Sequence, residues 1–148
     1  MHDFSDENFP KELEVIPLPG HFFDMVGFRT PDDTVFLADC ISSRATLDKY
    51  AISFIYDVEA YLKTLDLVEN MKASMFVPAH AEACADVREL VQYNREKVHE
   101  IAERLIKICQ EALTFEQILQ KIFEAYGLSM NFEQYVLVGS TIRSYLSW

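Results

Sequence analysis

The spacing of apolar residues changes near residue 85, and this change limits the folds open to the chain. Before it, short apolar runs are separated by turn residues, which is typical of strands. Beyond it, apolar residues recur at intervals of three, four and seven along one face of a helix: Val87, Leu90, Val91, Val98, Ile101, Leu105 and Ile108. We therefore expect an α/β (α+β) fold, with a polar leader over residues 1–10, a β-rich part over residues 11–85 and an all-helical part over residues 86–148.

Turn residues mark the strands of the β-rich part. Residues 11–18 predict a strand that ends at the Pro19-Gly20 turn. Residues 25–30 and 34–40 flank the turn sequence Pro-Asp-Asp, which predicts a β-hairpin. The second strand of this hairpin, TVFLADC, is almost continuously apolar, so we expect it to be buried on both faces. The aromatic residues of this region are predicted to be core, with Phe22 and Phe23 as alternatives for a pocket mouth: Phe22, Phe23, Phe28 and Phe36.

Further along, helices are predicted over residues 56–70, 87–108, 114–126 and 131–145, and a strand over residues 73–77. Thr114 followed by Gln117 is a capping-box pattern, and Gly127 is a natural helix stop. Residues 41–55 carry no clear periodicity, so the sequence assigns them to no element.

The charge of the chain excludes several classes of partner. The formal net charge is −11, with 15 acidic and 6 basic side chains in residues 1–85 and 9 acidic and 7 basic in residues 86–148. No basic stripe is present to replace phosphate counterions, so nucleic acid and anionic membranes are poor partners. A helix–turn–helix interpretation of residues 114–145 is disfavoured for the same reason. The three cysteines are widely spaced and form no disulfide framework, which indicates a reducing compartment, the cytoplasm.

Three apolar runs each end in a potential metal ligand: PLPGH in His21, FLADC in Asp39 and FVPAH in His80. Strand ends hold ligands rigidly beside loops that are open to solvent, which suits a catalytic site. Imidazole and carboxylate are ligands of zinc and iron, and a carboxylate can bridge two ions. Cys40 is an alternative nucleophile, but without a nearby His–acid pair a buried structural thiol is favoured.

The order of these motifs resembles the metallo-β-lactamase superfamily. That family has a PGH turn, a hairpin ending in GD, a helix, and a strand ending in PGH. Here the corresponding pieces read Pro19-Gly20-His21, Ala38-Asp39, the helix from Tyr56 with Tyr61-Leu62-Lys63-Thr64-Leu65, and Val77-Pro78-Ala79-His80. Asn94-Arg95 and the segment Ile142-Arg143-Ser144-Tyr145-Leu146 are similar to the helical extension of single-domain family hydrolases.

The resemblance implies the C-terminal half of an αββα sandwich followed by a helical extension. His21 would bind a first metal, Asp39 would bridge two metals and His80 would bind the second. Two zinc ions are expected in a complete family member, with iron or manganese as alternatives, and this chain alone is expected to hold a tight site poorly or not at all. The family's HxHxDH motif is absent, and alanines stand at two positions where the family has glycine, Ala38 and Ala79.

These features favour a portion of a metal-dependent hydrolase of small ester, thioester, amide or phosphoester substrates, inactive as this piece alone. Half of a sandwich would expose a sheet face, so we expect pairing with the missing N-terminal half or with a second copy in a homodimer. The alternative is a non-catalytic, acidic interaction or dimerisation module derived from the same fold.

Overall fold

The computed structural model describes residues 9–148, so the first eight residues of the predicted leader lie outside the described part. The elements follow in the order β1 (Glu14–Pro17), β2 (Val26–Arg29), β3 (Thr34–Ser42), α1 (Arg44–Tyr50), α2 (Val58–Asn70), β4 (Met75–His80), α3 (Arg88–Ile108), α4 (Phe115–Tyr126) and α5 (Phe132–Ser147). The predicted strands and the four predicted helices are confirmed. Within residues 41–55, which the sequence left unassigned, lies the short helix α1, capped by the Ser43 side chain.

The ends of α4 show how local sequence sets the helices. Thr114 and Gln117 form the predicted capping box, each side chain bonding the other residue's backbone N–H. Gly127 ends the helix in the left-handed conformation, with φ of 62°. Asn131 caps α5 by accepting the amide of Gln134.

The four strands form one sheet in the order β1-β2-β3-β4. β1, β2 and β3 run antiparallel as a meander, whereas β4 lies parallel to β3 after the crossover through α1 and α2. A parallel pair places the carboxyl ends of both strands at one edge of the sheet, so residues near the ends of β3 and β4 become neighbours.

Within residues 9–148, one face of this sheet packs on helices and the other does not. Val35, Leu37 and Phe76 are buried on the helix side. On the opposite side, paired positions form an apolar row that crosses all four strands and stays at least partly accessible: Val15, Phe28, Phe36 and Val77. An apolar sheet face left open is what half of a sandwich is expected to show.

This open face corrects one expectation. β3 is not buried on both faces, because Phe36 is 43% exposed between the fully buried Val35 and Leu37. Phe22 and Phe23 are exposed as well, so neither belongs to the core. The continuous apolar run of β3 therefore reflects a second face that is apolar without being covered by the described residues.

The helical part packs on the β-rich part in a single core. Buried residues of the sheet and α2 share one hydrophobic cluster with buried residues of α3, α4 and α5. Among residues 9–148, no helix is long and apolar enough to cross a membrane.

Candidate functional site

The Pro19-Gly20-His21 turn is fastened to the start of α2. Gly20 has a φ of 126°, and a Cβ at this position would lie 2.3 Å from the Tyr61 backbone. The Gly20 carbonyl accepts the amides of Tyr56 and Asp57 at 2.9 and 3.0 Å, while the Pro19 carbonyl accepts the Thr64 hydroxyl at 2.6 Å. Only glycine fits here, because the turn lies directly against the helix backbone.

His21, half-buried beyond this turn, is oriented by the segment that precedes α2. Its ring contacts the Phe54 ring edge-on, with centroids 5.4 Å apart. Burial lowers the pKa of His21, the Asp39 charge and the Phe54 carbonyl oppose this, and the His80 charge adds a smaller lowering. The charges of Asp39 and His80 therefore act directly on His21.

Asp39 and His80 meet where β3 and β4 run side by side. His80 Nε2 lies 3.0 Å from an Asp39 carboxylate oxygen, and both side chains are well exposed. The His80 carbonyl also accepts the Ser43 amide at 3.2 Å, which fixes the end of β4 against the end of β3. The structure thus brings Asp39 and His80 together near the ends of β3 and β4, and the charges of both affect the pKa of His21.

Irregular backbone precedes Asp39. The β3–β4 register shifts on both sides of Ala38, which has a φ of 49°. This left-handed conformation is unfavourable for alanine and easy for glycine, the residue of the family pattern at this position. Ala79, the other glycine replacement, is not among the positive-φ residues of the described chain.

Asn94 supports the same strand end from α3, a structural role that was not predicted from the sequence. It is buried, accepts the Ser42 amide at 3.0 Å and donates to the Ser42 carbonyl at 2.9 Å. The Tyr61 hydroxyl donates to the same Asn94 oxygen at 3.1 Å, which ties α2 into the contact. A polar residue on the inner face of an otherwise apolar helix stripe was the signal that could have identified it.

Cys40 does not serve as a nucleophile. It is fully buried, and burial with the neighbouring Asp39 charge raises the pKa of its thiol to about 12. The structural-thiol interpretation agrees with this environment.

Three exposed aromatic side chains form a cluster beside His21: Phe22, Phe23 and Tyr56. Their ring centroids lie 4.5, 5.9 and 5.9 Å apart, and each side chain is about half exposed. The position of this cluster agrees with the pocket-mouth alternative for Phe22 and Phe23.

The donor set suits a metal, but it is incomplete. Two imidazoles and a carboxylate are suitable donors, whereas a closed site needs about four ligands and a binuclear site more. Among the described residues, no group of three or more His, Cys, Asp or Glu side chains is arranged to hold an ion. Further ligands would have to come from outside residues 9–148.

Comparison with known proteins places the fold. No family model matches the sequence, and no curated protein matches it. The solved structures to which the chain is similar include a metallo-beta-lactamase family protein from Thermus thermophilus (TM-score 0.69, 15% identity, 90% of this chain and 42% of that one) and a beta-lactamase domain protein from Burkholderia ambifaria (TM-score 0.70, 15% identity, 99% and 44%).

The chain spans less than half the length of either protein. At this level of identity, the likeness establishes the fold and leaves the activity to be argued from the site. The described residues therefore adopt part of the metallo-β-lactamase fold.

Proposed function

We propose that this chain is the C-terminal portion of a metal-dependent hydrolase of the metallo-β-lactamase superfamily. The observation that carries the proposal is the contact of Asp39 with His80, whose side chains lie 3.0 Å apart near the ends of β3 and β4. The charges of both residues also affect the pKa of His21, which lies in the turn after β1, so the grouping does not come from closeness in sequence.

Each residue has a role that its position supports. His21, whose ring packs edge-on against the Phe54 ring, would bind one ion, and His80 would bind the other. Asp39, between them, would bridge the pair. Bound zinc, or iron or manganese, would lower the pKa of water and polarise an ester, thioester, amide or phosphoester. The aromatic cluster would form one wall at the mouth of the site.

The partly accessible sheet face supports the N-terminal half of the same domain as partner. The row from Val15 to Val77 is apolar, and apart from the contact of Phe28 with Phe9 it offers a surface that a second sheet can cover. Similar structures are more than twice as long as this chain, so the fold elsewhere includes enough additional sequence for such a sheet. A homodimer across this face is the competing outcome, and the mass in solution separates the two.

Metal content tests the site. The full reading frame that contains this chain should bind zinc, iron or manganese stoichiometrically and hydrolyse at least one ester, thioester, amide or phosphoester probe. His21→Ala and His80→Ala should lower the metal content, and Asp39→Asn should abolish turnover. His99→Ala is the matched control, because His99 is exposed on α3 and lies outside the His21–Asp39–His80 group.

Two results would overturn the proposal. Metal content unchanged in His21→Ala and His80→Ala would show that these side chains are not ligands. A full-length product that binds no metal and turns over none of the probes would favour the non-catalytic interaction module.

A further inference from the structure

The aromatic cluster beside His21 is built on the same backbone hydrogen bonds as the turn that carries this histidine. The Gly20 amide donates to the Phe22 carbonyl at 3.1 Å. The Tyr56 amide donates to the carbonyls of Gly20 and His21, at 2.9 and 3.3 Å. The backbone of Phe22 and Tyr56 is therefore held in a fixed position relative to His21, although both residues lie outside the helices and strands.

The three rings of the cluster form one apolar surface that the described residues leave accessible. Phe22, Phe23 and Tyr56 are 46, 53 and 51% exposed. Their centroid distances of 4.5, 5.9 and 5.9 Å are those of aromatic pairs in contact. Contact of such a surface with water is unfavourable, so a contiguous exposed apolar patch marks a place where a ligand or a partner binds.

The position and the size of the cluster favour a small molecule. Phe22 directly follows His21 in the chain, and the His21 ring itself contacts the partly buried Phe54 ring. Three half-exposed aromatic side chains offer roughly 200–400 Å² of surface. A standard protein–protein interface takes about 800 Å² from each partner, so this surface alone is too small for one.

Charge restricts the chemical group that can lie on this surface. The cluster is carried by residues 12–28 and 50–62, and neither segment contains a lysine or an arginine. Asp24 and Asp57, each next to a cluster residue in the chain, are exposed. An anionic group at the rings would therefore meet like charges, whereas an uncharged ring or alkyl chain loses contact with water at no such cost.

We propose that Phe22, Phe23 and Tyr56 bind an uncharged aryl or alkyl group of the substrate, next to the bond that is hydrolysed. The three residues would determine specificity rather than take part in catalysis, because they would contact a part of the substrate that does not react. This inference rests on the proposed function for the identity of the ligand as a substrate. Binding of an apolar group to the rings needs no metal, so it can be measured separately.

The binding of 2-naphthol, an uncharged aromatic probe, tests the surface without metal. The protein is the product of the full reading frame that contains this chain, kept in EDTA, and the dissociation constant is measured by NMR titration. Phe22→Ala, Phe23→Ala and Tyr56→Ala should each weaken binding by about 2–12-fold, since one aromatic contact contributes roughly 0.5–1.5 kcal/mol. Naphthalene-2-sulfonate, which adds an anionic group to the same ring system, should bind more weakly than 2-naphthol.

Phe132→Ala is the matched control, because Phe132 is an exposed phenylalanine on α5 and lies outside the cluster. It should leave the binding of 2-naphthol unchanged. An unchanged dissociation constant in the three cluster variants, or an equal loss in Phe132→Ala, would overturn the inference. Absence of saturable binding would also overturn it, and is the result expected if the N-terminal half covers the rings.

Turnover by the metal-loaded protein separates this inference from the proposed function. Ester, thioester, amide and phosphoester probes are used in pairs, with either a methyl or a benzyl group next to the scissile bond. The benzyl member should be preferred, and Phe23→Ala should reduce this preference in kcat/KM by about 2–12-fold, chiefly through KM. Turnover with the same preference in Phe23→Ala would overturn this inference alone. Binding of 2-naphthol to the rings without metal content or turnover would refute the hydrolase and leave the apolar binding site.

Discussion

Replacing Ala38 with glycine should stabilise the chain, although glycine usually weakens a strand. Ala38 has a φ of 49° at the irregular point of the β3–β4 register, immediately before Asp39. In this left-handed region the Cβ approaches the following carbonyl, which costs an L-residue roughly 1–2 kcal/mol. Glycine adopts the same conformation without that contact.

The net effect is smaller than the relieved strain. The added freedom of glycine in the unfolded chain costs about 0.4–1 kcal/mol. Loss of a half-buried methyl removes roughly 0.4 kcal/mol more, taken as half of one fully buried carbon. The balance for Ala38→Gly lies between a loss of about 0.4 and a gain of about 1.2 kcal/mol in the free energy of unfolding, and is centred on a small gain.

Ala79→Gly supplies the matched control. Ala79 lies on the neighbouring strand β4, is exposed, and is not among the positive-φ residues. It has no strain to release, so glycine should destabilise the chain by about 0.5–1 kcal/mol. The unfolded-state cost of glycine is common to both variants, so their difference is the strain at Ala38 less the lost methyl contact, about 0.6–1.6 kcal/mol.

Urea unfolding followed by circular dichroism measures this difference. The same difference in stability should separate the melting temperatures of the two variants by a few degrees, at about 2–4 °C per kcal/mol. If Ala38→Gly destabilises as much as Ala79→Gly, the left-handed conformation at Ala38 carries no strain and the reasoning is wrong.

Two further predictions concern the surroundings of the strand end. Asn94→Ala should destabilise the chain by about 3–5 kcal/mol in urea unfolding, because two backbone groups and the Tyr61 hydroxyl lose a buried partner together. Asn70→Ala, which removes only an exposed bond to its own helix, should stay within about 0.5 kcal/mol. Alkaline pH should weaken the fold, since the pKa of Cys40 is raised from 9.0 to about 12. The folded state favours the neutral thiol, so this contribution is intact below pH 9 and is lost as pH rises toward about 12. Urea midpoints of Cys40→Ala should fall less steeply over that range than those of Cys109→Ser, whose thiol is exposed, and parallel curves would contradict the assignment.

Local sequence signals were sufficient for most elements. The capping residues of α4 and the turn residues of the β2–β3 hairpin interact with backbone groups only a few residues away. Their effect therefore depends little on the rest of the fold. The positions of Asp39 and His80 in β3 and β4 also follow from strand signals in the sequence, and parallel pairing brings these two strands together. The metal roles of these residues remain predictions.

Long-range contacts were not predictable in the same way. Nothing near Thr141 or Ser144 in sequence indicates that their hydroxyls accept amides 86 residues away. The burial of β3 was predicted wrongly for a related reason. A continuous apolar run shows that both faces of a strand can be buried. It does not show whether the residues that bury the second face belong to the same stretch of chain.

That wrong prediction at Phe36 and the incomplete ligand set have a common explanation. A chain that evolved as a self-contained unit would be expected to carry polar residues on the outer face of its sheet, as antiparallel sheets with one solvated face do. Here the outer row from Val15 to Val77 is apolar, and the candidate site beside the same sheet has an incomplete set of donors among the described residues. Both features would be satisfied by one additional sheet that packs on the row and brings ligands to its edge. The apolar outer face and the incomplete set of donors each support the proposed N-terminal half. The two observations are independent, because a sheet with a polar outer face could carry the same three donors.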